Sequence, residues 1–180
     1  MIYLDYAAHT PADPRVLQRF VACERTMICN PNTHSRLADP ARAALQQASQ
    51  TIGALLGCSG DHLIYTGSAT EANNLALKGL AHQYKKDGKH ILATYLEHSS
   101  VNGTLAKLVD EGYEVEYVDL KEDGTIDLDH LKDLLRRDTI LLTICAVDSE
   151  IGLQQPLESI LNILEAYPKC KCHVDATQAV

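Results

Sequence analysis

LIYTGSATEANNLALKG, residues 63–79, runs from a largely apolar tetrad that includes the β-branched Ile64 and Thr66 through a small-residue turn into a segment with helical spacing of leucine and alanine. Strand, tight turn and helix in that order form the repeating unit of an open α/β sheet, so this stretch decides the fold. It also marks a candidate anion site. Free N–H groups and the positive end of a helix converge beyond the C-terminal end of such a strand. Gly67 allows close backbone approach, Ser68 and Thr70 bring hydroxyl donors, and Ala69 leaves space. The same residue types serve a capped helix with no ligand. The stretch is neither a Walker loop, for want of the lysine, nor a G-x-G-x-x-G fingerprint.

Outward from residue 79 the pattern repeats. HILATY (90–95), VEYV (115–118), TILLTICAV (139–147) and CKCHVDA (170–176) read as strands, as does LIYT (63–66). Between them lie helices at 69–86, 99–112, 127–137 and 156–168. Their starts carry serine, aspartate or proline, and Gly88 and Gly112 stand where two of them stop. Alternating strands and helices predict a mainly parallel sheet flanked by helices. Upstream, residues 39–57 read as one long helix. The first forty residues are rich in Pro, Asn, Asp and Thr and read as a loop and helix segment laid over the main domain. The expected division is therefore residues 1–40 and residues 41–180.

Composition excludes several function classes. A net charge of -8 among 180 residues argues against nucleic-acid or acidic-membrane binding through a basic face. No apolar run approaches the roughly 20 residues that span a bilayer, and the N-terminus has no signal-peptide pattern, so a cytoplasmic protein is expected. In that compartment the six cysteines are expected to be reduced thiols. Cys170, Cys172 and His173 lie within one strand, which presents only the two sulfurs on one face, so no metal site is expected.

Two further residues fall at strand ends. His98 follows HILATY within LEHSS, where an imidazole can stack on a flat heteroaromatic ring and carry a proton near neutral pH; a solvated or structural histidine reads the same way. Asp175 closes CKCHVD, where a carboxylate can keep a pyridine nitrogen protonated; it can equally cap a following helix. Both positions lie at the sheet edge that carries the GSAT turn.

YLDYAAHTP, NPNTHS, YTGSATEANNLALKG, LEHSSV, DSEIGLQQP and HVDATQA together resemble the cysteine desulfurases, pyridoxal-phosphate enzymes of the class V aminotransferase group, over essentially the whole chain. The resemblance implies the large domain of the fold type I transferases and a dependence on pyridoxal 5′-phosphate. It implies that Ala69 and Thr70 contact the cofactor phosphate, that His98 stacks on the ring and takes part in proton transfer, and that Asp175 pairs with the ring nitrogen. Gln178 would approach the phenolic oxygen. The substrate implied is L-cysteine, whose sulfur passes to a protein cysteine as a persulfide and leaves alanine.

The sequence departs from the family at places that matter. Asp148, Ser149 and Glu150 stand where Asn-Asn-Glu is usual, so Ser149 replaces an asparagine directed at the phenolic oxygen. The Schiff-base lysine, in a Ser-x-His-Lys context, and the sulfur-accepting loop cysteine have no counterpart among these residues. The expectation is a truncated large domain that binds the cofactor noncovalently at best and does not turn over alone. It would act with a C-terminal half or a full-length homologue, and as a homo-oligomer. The alternative expectation is a noncatalytic desulfurase-like protein that binds a partner chain or self-associates.

Overall fold

The computed structural model describes residues 2–180, and the chain divides into two compact units, one ending at Tyr65 and the other running from Thr66 to Val180. In the first unit, helix α1 (Pro14–Thr26) starts where Asp13 accepts a hydrogen bond from the Arg15 backbone at 2.7 Å. Proline follows immediately, where its missing N–H costs nothing. Helix α2 (Asp39–Leu55) ends before Gly57, whose φ of 71° is open to glycine and strained for other residues. The short turn Gly60–His62 folds back onto α2, so that a Cβ on Gly60 would stand 2.8 Å from the carbonyl carbon of Ser49. Gly60→Ala is accordingly expected to cost about 2 kcal/mol through backbone displacement. Urea unfolding would measure it, and an unchanged midpoint would mean that α2 and the turn part without penalty.

The second unit is a four-stranded parallel sheet in the order β2-β1-β3-β4, built from β1 (His90–Thr94), β2 (Glu114–Val118), β3 (Thr139–Cys145) and β4 (Lys171–Asp175). Central strands β1 and β3 are buried almost throughout, and for that reason they read as continuous apolar runs without alternation. Helices α3 (Ala69–Tyr84) and α4 (Ser99–Asp110) cover one face, where Leu77, Ala81, Val101 and Leu105 pack with Ile91 and Ala93. Helices α5 (Leu128–Leu134) and α6 (Leu157–Leu164) cover the other, where Leu131 and Ile160 pack with Leu92, Leu142 and Ile144. The expected parallel sheet flanked by helices is thus the observed one. No helix among the described residues is long and apolar enough to cross a membrane.

One predicted strand is corrected. Residues 63–66 join no ladder, although Leu63 is extended at φ −83° and ψ 130°. The apolar tetrad fixes an extended backbone, but a strand also needs a hydrogen-bonded neighbour. None of the four described strands pairs with it.

Candidate functional site

All four strands are parallel, so the segments that follow β1, β3 and β4 emerge at one edge of the sheet. Strand β4 ends on Asp175, which is 8% exposed. Its Oδ1 accepts from the Thr177 hydroxyl at 2.6 Å and the Thr177 backbone N–H at 3.1 Å, and its Oδ2 accepts from Asn73 Nδ2 at 2.8 Å. Burial by itself raises a carboxyl pKa, but here the hydrogen bonds from Thr177 and Asn73 outweigh it, and Asp175 lies below its ordinary value. It is therefore a carboxylate at neutral pH. Each carboxylate oxygen has two lone pairs; those of Oδ1 are both used, while Oδ2 keeps one.

His98, after β1, is exposed and is the N-cap of α4: its Nδ1 accepts from the Ser100 backbone N–H at 3.2 Å. A nitrogen that accepts carries no proton, so the neutral ring holds its proton on Nε2. Ser100 Oγ lies 2.8 Å from the same Nδ1, and Asn73 Nδ2 donates to that Oγ at 3.0 Å. Asp175 and His98, 77 residues apart in sequence by their numbers, are thus joined by a hydrogen-bonded path through Asn73 and Ser100.

Asn73 stands one turn into α3, whose start is the GSAT turn. Ser68 caps α3 by accepting from Glu71 N at 3.2 Å, and the Glu71 carboxylate accepts from Gly67 N at 2.6 Å. Two donors of the turn are spent internally. Among the described residues the N–H groups of Ser68, Ala69 and Thr70 and the Thr70 hydroxyl have no acceptor, and these three residues are exposed. They can take an anion. The capping role read for Ser68 is therefore real, α4 is capped by His98 where the sequence pointed to the serines after it, and Asp175 holds a turn and caps no helix.

Ser149 lies in the turn beyond β3, where Asp148 Oδ1 accepts from the backbones of Glu150 and Ile151 at 2.9 and 2.8 Å; Ser149 is exposed. Gln178 is exposed in the turn after β4. Among the described residues no hydrogen bond ties Ser149 to the Asp175–His98 path.

Asn73, Ser100, Thr177 and Glu97 escaped sequence reasoning. Glu97 is 6% exposed; its Oε1 accepts from the Thr94 hydroxyl at 2.8 Å and Cys145 N at 2.9 Å, while Oε2 is buried without a partner. Burial, with the Asp175 charge adding to it, pushes its pKa up to about 7. The only sequence signal was its place three residues past a buried strand. Cys145 and Cys172 are pushed up to about 11, chiefly by burial and then by the Glu97 charge, so neither is a ready thiolate. Among the described residues no group of three or more metal-ligating side chains comes together.

Residues 2–180 match the model of the aminotransferase class-V family. Cysteine desulfurase IscS of Proteus mirabilis is 42% identical over 182 residues, covering 99% of this chain and 45% of that protein. The enzyme of the same name from Neisseria gonorrhoeae is 40% identical over 179 residues, covering 99% and 44%. A solved NifS-like protein superposes with a TM-score of 0.94 at 32% identity, over 97% of this chain and 48% of its own. SspA in complex with cysteine gives 0.92 at 33%, over 98% and 51%. The α/β fold is the one that these proteins share, and the chain spans about half the length of the relatives it matches.

Proposed function

The chain belongs to the class-V aminotransferase family, and from that premise we propose that it forms the N-terminal part of a pyridoxal-phosphate-dependent cysteine desulfurase, providing the face that binds the cofactor's ring and phosphate. The observation that carries this reading is Asp175: a nearly buried carboxylate, held ionised by Thr177 and Asn73, with one lone pair of Oδ2 free for a cationic N–H. The residues present fit the group. A ring nitrogen bound to Oδ2 keeps its proton because the anion beside it favours the charged form. The unspent N–H groups of Ala69 and Thr70 receive the phosphate at the positive end of α3. His98 offers its ring face for stacking and Nε2 for moving a proton. Ser149 and Gln178 are assigned to the phenolic-oxygen side. Bound there, the cofactor supplies a protonated ring that accepts the electron pair released from substrate carbon.

Equilibrium dialysis tests the binding part: pyridoxal 5′-phosphate is expected to bind saturably at one site and to be displaced by excess inorganic phosphate. Absence of saturable binding would contradict the reading. The desulfurase part is tested by sulfide release from L-cysteine, measured on the chain alone and supplemented with the polypeptide matching the other half of a relative. Release in either arm supports it, and release in neither opposes it.

A second reading, a noncatalytic relative that binds a partner or a second copy of itself, is favoured by α1, on which Val16, Leu17, Phe20 and Val21 are all exposed. Light scattering after size exclusion separates the two. A self-associated chain with no affinity for the cofactor would favour this reading.

A further inference from the structure

Asn73 is 4% exposed and sits on α3, in contact with the end of β4, where Asp175 lies, and with the first turn of α4, which His98 caps. A carboxylate has no proton to give, so the amide group facing Asp175 Oδ2 must be the nitrogen. That orientation fixes the rest. One N–H goes to Asp175 Oδ2 at 2.8 Å and the other to Ser100 Oγ at 3.0 Å. Ser100 Oγ is thereby an acceptor from Asn73, and since His98 Nδ1 accepts from the Ser100 backbone N–H and so carries no proton, the 2.8 Å contact between Oγ and Nδ1 is made by the serine proton. The path has one direction, set by an amide nitrogen that donates at one end and a ring nitrogen that accepts at the other.

We propose that Asn73 is the positioning residue that couples the two polar halves of the site, holding Asp175 Oδ2 with one amide proton and turning the Ser100 hydroxyl toward His98 Nδ1 with the other. The functional meaning of this coupling rests on the cofactor-binding reading above, in which Oδ2 meets the ring nitrogen and His98 the ring face. Asn73 touches neither group of the ligand. It determines which lone pair of Asp175 stays open and adds the serine hydroxyl to the donors on the inner nitrogen of His98, so the outer nitrogen keeps the proton.

Imidazole 15N spectra of the 180-residue chain test the coupling without any cofactor. Asn73→Leu keeps the side-chain shape but removes both amide donors, which frees the Ser100 proton to turn away from His98. It is expected to move the His98 Nδ1 signal in the same direction as Ser100→Ala, and the double variant is expected to move it no further. An unmoved Nδ1 in Asn73→Leu, or additive shifts in the double variant, would overturn the proposal. Should Asn73→Leu not fold, Ser100→Ala decides. Its Asn73 amide should lose solvent protection on one proton and keep it on the proton held by Asp175, whereas retention or loss of both contradicts the assigned geometry. Asn73→Ala, if folded, should also weaken binding of pyridoxal 5′-phosphate about tenfold, the worth of one hydrogen bond to a charged group. Failure of the unaltered chain to bind that probe counts against the cofactor reading alone, and the 15N spectra still decide the coupling.

Discussion

Glu97→Gln is expected to stabilise the chain by about 3 kcal/mol at about pH 8 and to change its stability little at about pH 4.5. Glu97 has its pKa raised from 4.5 to about 7, mainly by burial. A carboxyl raised in the folded state binds its proton more tightly there than in the unfolded chain. Its contribution to stability is complete below 4.5 and is lost as pH rises through about 7. Above that range the folded protein holds a buried carboxylate whose Oε2 has no partner. Glutamine keeps the Oε1 acceptor for Thr94 and Cys145 and carries no charge, so the pH dependence that Glu97 imposes should vanish. Urea midpoints at the two pH values measure it. Parallel pH profiles for the two proteins would show that Glu97 is hydrated or paired in solution. Glu97 matters to the site because its Oε1 ties the residues following β1 to the end of β3, beside the carboxylate of Asp175.

Asp175→Ala is expected to weaken binding of pyridoxal 5′-phosphate at least about a hundredfold, since it removes the anionic partner of a nearly buried ring cation. The substitution also leaves Asn73 Nδ2 and the Thr177 hydroxyl without their acceptor, so part of the loss would come from disorder at the site. Asp175→Asn separates the two causes. It preserves the shape and an acceptor oxygen while removing the charge, so an affinity close to that of Asp175→Ala would assign the effect to charge. An affinity unchanged in both variants would mean that the ring nitrogen does not meet Asp175.

The sequence made the central strands legible because β1 and β3 are covered on both faces and carry uninterrupted apolar runs. Residues 63–66 carry a similar run, yet whether they form a strand depends on a neighbour, which no local pattern reports. Helix α1 falls in the stretch read as loop and helix without bounds, although Asp13 and Pro14 signal its start. For the site, strand-end position was enough to single out His98 and Asp175. It was not enough for Asn73 and Ser100. Their roles arise from contacts that join α3 to residues 27 and 102 positions away, and such pairs leave no mark in a single sequence. Glu97 was visible as an acid after a strand, but its burial follows from the closing of β3 over it and not from its neighbours in sequence.

We propose that the start of α3, the segment after β1 and the end of β4 form one site for a phosphorylated pyridine. Titrating pyridoxal 5′-phosphate into the isotopically labelled chain while following backbone and side-chain chemical shifts tests it most directly. The amides of Ala69 and Thr70, the imidazole of His98 and the carboxyl of Asp175 are expected to shift together along a single saturation curve. Shifts confined to one of these segments, or curves with different midpoints, would contradict it.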